Sequence, residues 1–392
     1  MASNKTSNLN LDIWAEMDFF KRAELNTNFD KVDGVVGDIK SLGDNPKSLA
    51  QSIRDFGANI VNFGADPMGV KDSNVAIQKA IDSGVKDVYV PDGLFTINLD
   101  SITYSGKGTR LGIKLRDNLR VFGTGTLKLK GGIGGNFAVM ANPNDSIKNC
   151  IIEGITIDGN KTNSTGTQSN LILFGAEDCH FRNVKSFNAP YVGLMMRGSG
   201  GKRNSIVDCL VDTCGYIGIQ AQQNEGIIIS RNQVYNTVDN AIDVEGNDST
   251  GGFENLGFGS KVRVTDNITK NVKNGVFLES TGQAIVTGNH FYDITQSGVY
   301  INRIDSGSFY NTVADNHIIN TVNKSLYSGV RIANSSGRTI IHDNFIKGML
   351  YGIRTGNGVT NLVVHHNYFS EITKYLLYTT SAANSLVNQA NF

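Results

Sequence analysis

The sequence is poor in several features that would assign it to familiar classes of protein. It has 392 residues, of which only 5 are proline, 1 is tryptophan and 4 are cysteine. No pair of these cysteines has the CxxC spacing of a metal site, which favours reduced cysteines buried in a core. Lysine plus arginine and aspartate plus glutamate each number 36. With no net charge to attract polyanions, neither nucleic acid nor an anionic membrane is an expected partner.

Long apolar segments are also missing. No run of about 18 apolar residues indicates a transmembrane helix. The first residues, "MASNKTSNLNLDIW", lack the apolar centre of a signal peptide. We therefore expect a protein without a signal peptide, which reaches the extracellular space, if it does, by a route other than ordinary secretion. Glycine, at 44 residues, predicts many short strands and tight turns.

Residues 1–50 are predicted to be a separate, helical region. Phe29, Val32, Val36 and Ile39 follow a heptad spacing over about one and a half repeats. A helix packed on its own domain and a bundle of identical chains both fit this short apolar seam.

Residues 51–100 begin a different pattern. A helix is predicted around "NVAIQKAI", with Ile77, Ala80 and Ile81 on its buried face and Ser73 as its N-cap. The segments "FGA", "NVAIQKAI" and "VYVPDG" together resemble the opening of the pectate-lyase-like superfamily of right-handed parallel β-helices. That resemblance implies an all-β, single-stranded solenoid over residues 101–392, with the small helix closing its open end.

A repeat supports this fold independently. Anchor residues of an apolar-x-x-Asn pattern occur at positions 154, 183, 209, 232, 267, 289, 316, 344 and 367, with gaps between 22 and 35 residues. A period in the twenties with variable loops is typical of a solenoid, in which each turn buries its apolar face only against its neighbours. Seven of the nine anchors are asparagine, and we interpret them as a structural ladder that satisfies buried backbone groups. The histidines beside the ladder are expected at the surface or in turns.

A second landmark is a small residue that opens one strand per turn, as in "GIQAQ", "AIDVE" and "GVFLE". Because strand side chains alternate, the first and third residues after it should point inward and the second and fourth outward. The outward positions carry Met195 and Arg197, Gln220 and Gln222, Asp243 and Glu245, Phe277 and Glu279, Tyr300 and Asn302, Arg331 and Ala333, and Arg354 and Gly356.

Stacking of the turns should therefore gather Asp243, Glu245 and Glu279 into one carboxylate cluster. Amides, aromatic rings and cations surround it, which are the groups that bind a sugar ring; the predicted substrate-binding residues are Gln220, Gln222, Tyr300, Asn302, Arg197, Arg331 and Phe277. An acidic patch without function is the competing interpretation. The glycine-rich segment "GNDSTGGFENLGFGS" follows Glu245 and either forms a wall of the site or contacts a neighbouring chain.

Paired carboxylates break glycosidic bonds, because one protonates the leaving oxygen while another activates water or attacks directly. Crowding should raise the pKa of at least one acid. The sequence favours Glu245 as general acid and Asp243 or Glu279 as base, with no metal site and no cofactor. One alternative is a polyuronate lyase, in which acids hold Ca²⁺ and Asp248 and Arg331 are the candidate residues; another is a fibre that binds a glycan without cutting it.

The N-terminal stretch "NLNLDIWAEMDFFKRAELNTNFDKVD" resembles tail-fibre and tail-appendage proteins of bacteriophages that infect Gram-positive bacteria. Followed by a β-helix, it is similar to phage tailspikes, which implies a homotrimer located in the virion. The resemblance further implies that residues 1–50 contact other tail proteins and that the solenoid binds and degrades a bacterial surface polysaccharide.

Overall fold

The computed structural model describes residues 57–99, 109–246, 261–302, 310–321, 327–333 and 336–379, and the backbone of three further short strands. The chain divides into two compact units, Met1–Ala58 and Asn59–Phe392. In the first unit, Asn4–Lys5 pairs antiparallel with Asp12–Ile13. The predicted apolar seam from Phe29 to Ile39 lies outside the described residues, so a helix there stays a prediction.

The second unit is a parallel β-solenoid of about 10 turns, as the sequence predicts, and Asn74–Asp82 is the single α-helix among the described residues. Three parallel sheets run along it, which we call sheets 1, 2 and 3 in the order in which each turn visits them. Sheet 1 carries the outward columns identified in the sequence.

Sheet 1 consists of Arg110–Lys114, Phe137–Ala141, Gln168–Phe174, Leu194–Lys202, Ile219–Glu225, Asn240–Glu245, Asn274–Glu279, Ser297–Asn302, Ser328–Ile332, Tyr351–Thr355 and Tyr375–Thr379, with Ile147–Lys148 and Ala176–Glu177 beside this path. Sheet 2 consists of Ala58–Asn59, Asp87–Val90, Leu119–Gly123, Cys150–Glu153, His180–Arg182, Ser205–Val207, Ile228–Ser230, Arg263–Thr265, Ile285–Thr287, Thr312–Ala314, Ile340–His342, Val363–His365 and Val387–Gln389. Sheet 3 consists of Met68–Asp72, Leu94–Ile97, Thr126–Leu129, Thr156–Asp158, Lys185–Phe187, Leu210–Asp212, Gln233–Tyr235, Ile268–Lys270, His290–Tyr292, His317–Ile319, Phe345–Lys347 and Tyr368–Ser370. Ile133–Gly134 and Ser164–Thr165 form a separate parallel pair, and Ile60–Phe63 and Lys161–Asn163 are 3₁₀ turns.

The small residue at the start of the sheet 1 strands has a packing reason. A Cβ atom on Gly275 would lie 2.5 Å from Cδ1 of Phe291, and one on Gly352 would lie 2.5 Å from Cε1 of Phe369. Both aromatic rings belong to sheet 3, whose core side chains reach the backbone of sheet 1. The glycines therefore permit a close approach between the two sheets.

Asparagines form the predicted ladder at the bend between sheets 2 and 3. Asn316 shows the pattern. Its Oδ1 accepts from the backbone N–H of Asn289 at 3.0 Å and from the side-chain amide of Asn289 at 2.9 Å. Its own side-chain amide donates to Oδ1 of Asn344 at 2.9 Å. The fully buried members are Asn232, Asn267, Asn289, Asn316, Asn344 and Asn367. Each rung thus satisfies one buried backbone donor of the preceding turn.

The ladder is one rung shorter than the sequence predicts. Asn183 is exposed and left-handed (φ 51°), and the buried position at this bend belongs to Val184. Asp208 has the same left-handed backbone before Cys209, and Arg231 before Asn232. Asparagine suits both the left-handed position and the ladder, so the sequence pattern misplaced Asn183 by one residue.

The predicted helix is present as Asn74–Asp82, with Ala76, Ile77, Ala80 and Ile81 buried. It closes the first edge of sheet 1, because Gln78 Oε1 accepts from the backbone N–H of Lys114 at 2.9 Å. Ser73 occupies the N-cap position but makes no capping hydrogen bond. Its hydroxyl instead accepts from the backbone N–H of Asp66 at 3.0 Å. The predicted position of the N-cap is therefore confirmed, but the predicted capping hydrogen bond is wrong.

The ladder generates a test of stability. We expect Asn316→Ala to lower the free energy of unfolding by about 2–4 kcal/mol, because it removes the acceptor for two buried donors of Asn289. Urea denaturation followed by circular dichroism measures this loss. Asn144→Ala, at an exposed asparagine, is the matched control, and equal losses in the two variants would contradict the structural role of the ladder.

Candidate functional site

The predicted carboxylate columns are in register on sheet 1. Asp243 pairs with Phe277, and Glu245 pairs with Glu279 on the next turn. Adjacent parallel strands lie about 4.8 Å apart. The structure therefore brings the three predicted acids together on the outer face of the sheet, with Ile242 and Val244 buried in the core beneath.

The predicted amide residues lie on the turns that flank the acids. Gln220 pairs with Asp243 and Gln222 with Glu245 on one side, while Asn302 pairs with Glu279 on the other. Gln220 also reaches across the columns, since its Nε2 donates to Oε1 of Glu245 at 2.6 Å. This bond holds one carboxylate in a defined orientation.

Asp243 is buried, although it belongs to an outward column. Its residue is 3% exposed, and Oδ2 accepts from Nδ2 of Asn240 at 2.8 Å. Asn240 is held in turn by Nδ2 of Asn274, which donates to its Oδ1 at 2.8 Å. Among the described residues, Oδ1 of Asp243 has no hydrogen-bond partner.

This environment holds the pKa of Asp243 well above its usual value. Burial is the largest cause, and the neighbouring charges of Glu245 and Glu279 act in the same direction, while the Asn240 hydrogen bond opposes them. The expected rise in pKa is thus found at Asp243, but burial is its main cause and crowding by the other acids only adds to it. Since Oδ2 accepts from Asn240, Oδ1 is the oxygen that carries the proton when Asp243 is protonated.

A second column borders the acids and was missed in the sequence. It lies two residues before each small residue and contains Tyr191, Tyr216, Asp239, Lys273 and Gln296, linked by backbone hydrogen bonds of 2.8–3.0 Å between successive turns. Lys273 Nζ lies 2.9 Å from Oδ1 of Asp239. The same spacing from glycine could have identified these residues, for example in "YVG" and "YIG".

The two tyrosines of this column stack with ring centroids 4.7 Å apart and pack against the apolar cluster that contains Val192 and Ile217. Burial raises the pKa of Tyr216 to about 12, and the charges of Asp239, Asp243 and Glu245 contribute. The phenols therefore stay neutral and offer an aromatic wall beside the acids.

Aromatic and basic side chains continue from the acids on the following turns. Phe277 and Tyr300 lie in one column with ring centroids 4.9 Å apart, and the Arg331 guanidinium lies 4.4 Å from the Tyr300 ring centroid. On the other side, Arg197 pairs with Gln222 and lines a shallow depression with Asp145 and Phe174. All predicted binding residues thus share the outer face of sheet 1.

Some predicted features cannot be located. The glycine-rich segment after Gly246, with Asp248, Phe253 and Phe258, lies outside the described residues. Within the parts of the chain that the structure describes, no group of three or more His, Cys, Asp or Glu side chains is placed to hold a metal ion. No helix there is long and apolar enough to cross a membrane.

A second acidic group, Glu177 and Asp178, has a structural explanation. Glu177 forms ion pairs with Lys148, Lys202 and Arg203 at 2.7–3.2 Å, and these hydrogen bonds lower its pKa to about 2. Its charge is thereby neutralised by cations on adjacent turns, in contrast to the crowded acids near Asp243.

Comparison with known families agrees with the observed fold. Residues 136–318 match the family described as "Right handed beta helix region", and residues 254–390 match the family described as "Periplasmic copper-binding protein (NosD)". The pre-neck appendage protein of Bacillus phage B103 is 25% identical over 265 residues, which are 60% of this chain and 28% of that protein. The corresponding protein of Bacillus phage phi29 is 26% identical over 160 residues, 37% of this chain and 17% of that protein. The chain thus spans less than a third of the length of these relatives.

Solved structures with a similar fold come from several proteins. The A-module of a mannuronan C-5 epimerase from Azotobacter vinelandii has a TM-score of 0.68 at 17% identity, covering 86% of this chain and 99% of that one. An exopolygalacturonase from Thermotoga maritima has a TM-score of 0.66 at 12% identity, covering 88% and 96%. The tailspike protein of E. coli bacteriophage HK620, solved with a pentasaccharide, has a TM-score of 0.61 at 12% identity, covering 87% and 66%. These findings confirm a right-handed β-helix similar to phage tail appendages and tailspikes.

The buried acid predicts a pH-dependent stability. Below about pH 3.9, the usual pKa of aspartate, Asp243 is protonated in both the folded and the unfolded chain. Above this pH, Asp243 ionises in the unfolded chain but not in the folded chain. The free energy of unfolding of the wild type should therefore fall by about 1.4 kcal/mol per pH unit relative to that of Asp243→Asn, until the pH reaches the raised pKa.

Urea denaturation of both proteins between pH 4 and pH 8 would measure this difference. Asp315→Asn is the control, because Asp315 is exposed and its left-handed backbone (φ 54°) suits asparagine equally. A difference that does not change with pH would show that Asp243 is ionised in the folded protein.

Proposed function

We propose that this protein is a phage tail appendage whose β-solenoid binds a bacterial surface polysaccharide and hydrolyses it at Asp243, Glu245 and Glu279. The observation that carries the proposal is a buried carboxyl group, whose pKa burial holds well above its usual value, directly beside two partly exposed acidic side chains. Glycoside hydrolysis needs this pairing of a protonated acid with an ionised base.

The roles within the trio follow from the environments. Asp243 is the general acid, since its pKa is raised, and this reverses the assignment drawn from the sequence. Glu245 is assigned as the base or nucleophile, because its Oε1 accepts from the Gln220 amide and is thereby held in a defined orientation beside Asp243. Glu279 lies beside Glu245 in register and supports the neutral state of Asp243 by its charge.

Substrate access to Asp243 requires a local change, because this side chain is buried. Gln220 precedes Asp243 in its column, and its amide crosses to Glu245. We propose that a bound saccharide replaces this amide as the partner of Glu245 and thereby reaches the protonated oxygen of Asp243.

The alternatives are less well supported. A lyase needs a base that abstracts a proton from the sugar. Lys273 is paired with Asp239, the pKa of Tyr216 is raised to about 12, and Arg331 stacks on Tyr300, so none of these groups is a ready base. A fibre that binds without cutting does not require a neutral acid beside two carboxylates.

The proposal extends to the assembly. The relatives named as appendage proteins support a location in the virion and contacts with other tail proteins. A homotrimer, attachment through residues 1–50 and the absence of nucleic acid or membrane partners remain part of this proposal. It requires no metal or other cofactor.

Cleavage of cell-wall and capsular fractions from Gram-positive bacteria tests the function. We expect new reducing ends without the absorbance of unsaturated uronate, and Asp243→Asn and Glu245→Gln should each lower the rate about 10²–10⁴-fold. Glu225→Gln is the matched control, since Glu225 ends a sheet 1 strand in an ion pair with Lys261. Full activity in both acid variants would refute the assignment, and unsaturated ends would establish a lyase.

A further inference from the structure

The outward column of Asp243 continues over five more turns of sheet 1. Phe277, Tyr300, Arg331, Arg354 and Tyr378 are successive partners in register. We call these five residues the guanidinium–aromatic strip. At about 4.8 Å per turn, Arg331 and Arg354 lie about 14 and 19 Å from Asp243 along the solenoid.

The aromatic rings and guanidinium groups of the strip lie close to one another. Arg331 lies 4.4 Å from the Tyr300 ring centroid, and Arg354 lies 5.2 Å from the centroid of Tyr351 and 5.9 Å from that of Tyr378. A guanidinium that stacks by its face keeps its N–H groups at its edge, where they can bind a carboxylate or phosphate.

In the part of the solenoid that the structure describes, no acid neutralises these cations. Within the described residues, neither Arg331 nor Arg354 has a carboxylate oxygen within 4.0 Å. Lys374 adds a third positive charge beside them, with Nζ 5.5 Å from the Tyr351 ring centroid. Elsewhere on the solenoid, exposed arginines such as Arg203 and Arg231 are paired with aspartates.

The outer face of sheet 1 is therefore divided by charge, although the whole chain is neutral. Acids occupy the turns at residues 239–279, and cations occupy the turns at residues 331–374. An anionic group would be repelled by the acids and attracted by the guanidinium groups. An anionic polymer that lies on this face should therefore place its negatively charged groups over the strip.

We infer that the guanidinium–aromatic strip binds an anionic substituent of the polysaccharide, a carboxylate or a phosphate, three to four turns from the acids. This inference rests on the proposed function for the identity of the polymer as the substrate. It assigns Arg331 and Arg354 to recognition of charge and Tyr300 to stacking, and it adds Arg354 and Tyr378 to the binding surface.

Binding measurements with four fluorescently labelled polymers test the strip. The probes are polygalacturonate, its methyl-esterified form, poly(glycerol phosphate) and neutral dextran. All measurements use the Glu245→Gln background, so that cleavage does not interfere. We expect one of the two anionic polymers to bind more tightly than both neutral ones, and binding should weaken with salt. Which anion binds distinguishes carboxylate from phosphate recognition.

In the same assay, Arg331→Gln and Arg354→Gln should each weaken binding of the anionic polymer about tenfold, a loss of about 1.4 kcal/mol. Arg331→Lys should restore part of it, because the charge returns without the planar fork. Arg263→Gln, on sheet 2, removes the same charge from another face and should leave binding unchanged.

Two outcomes would overturn the inference. One is an equal affinity of the Glu245→Gln protein, with both arginines intact, for charged and neutral polymers, including no affinity for any. The other is equal binding by the Arg331, Arg354 and Arg263 variants. Cleavage assays test the proposed function separately. If binding does not depend on charge, this inference fails, but hydrolysis of a neutral polymer can still occur. If the anionic polymer binds without being cleaved, the proposed hydrolysis fails and this inference stands.

Discussion

The register between successive turns is the constraint on which the structure depends. Side chains of a strand alternate between faces, so a slip of one residue would move Asp243 and Glu245 into the core and expose Ile242 and Val244. The asparagine ladder opposes such a slip, because each of its members from Asn232 to Asn344 accepts from a backbone N–H of the preceding turn and donates to the next asparagine. The glycines at the start of the sheet 1 strands act in the same direction, since any larger residue would collide with the sheet 3 core. The relative positions of the acids are thus set by groups on other faces of the solenoid.

Much of this arrangement could be predicted from the sequence. The period, the small residue of each turn and the alternation of apolar side chains were sufficient to pair Asp243 with Gln220 and Phe277, and Glu245 with Glu279. These pairings depend only on local spacing that repeats. The helix and its buried face were also predictable, because Ile77, Ala80 and Ile81 follow a helical period.

Other features depend on contacts that spacing does not encode. Spacing places Asp243 in an outward column and does not reveal that it is buried, so the sequence assigned the role of acid to Glu245 instead. The hydroxyl oxygen of Ser73 accepts from the backbone N–H of Asp66 rather than from an N–H of the first helical turn. Both donors are within reach of such a side chain, and spacing does not show which one it serves. Asn183 was assigned to the ladder because asparagine is favoured both in left-handed turns and in buried amide stacks. Tyr191, Tyr216 and Lys273 were missed although their spacing repeats, since the outward columns alone were considered.

The burial of Asp243 has a cost that the rest of the solenoid must offset. A carboxyl group whose pKa is raised by burial makes the folded state less stable at neutral pH than one exposed to water. Each turn of the solenoid contributes its own core and ladder contacts, so stability is distributed over many units. A rigid backbone stabilised in this way can hold an unfavourable neutral acid beside Glu245 and Glu279 without rearranging. The same rigidity keeps the cations near Arg331 and Arg354 apart from these acids, because the turns between them fix the separation. A flexible loop carrying the same side chains would pair the opposite charges and lose both the neutral acid and the exposed guanidinium groups.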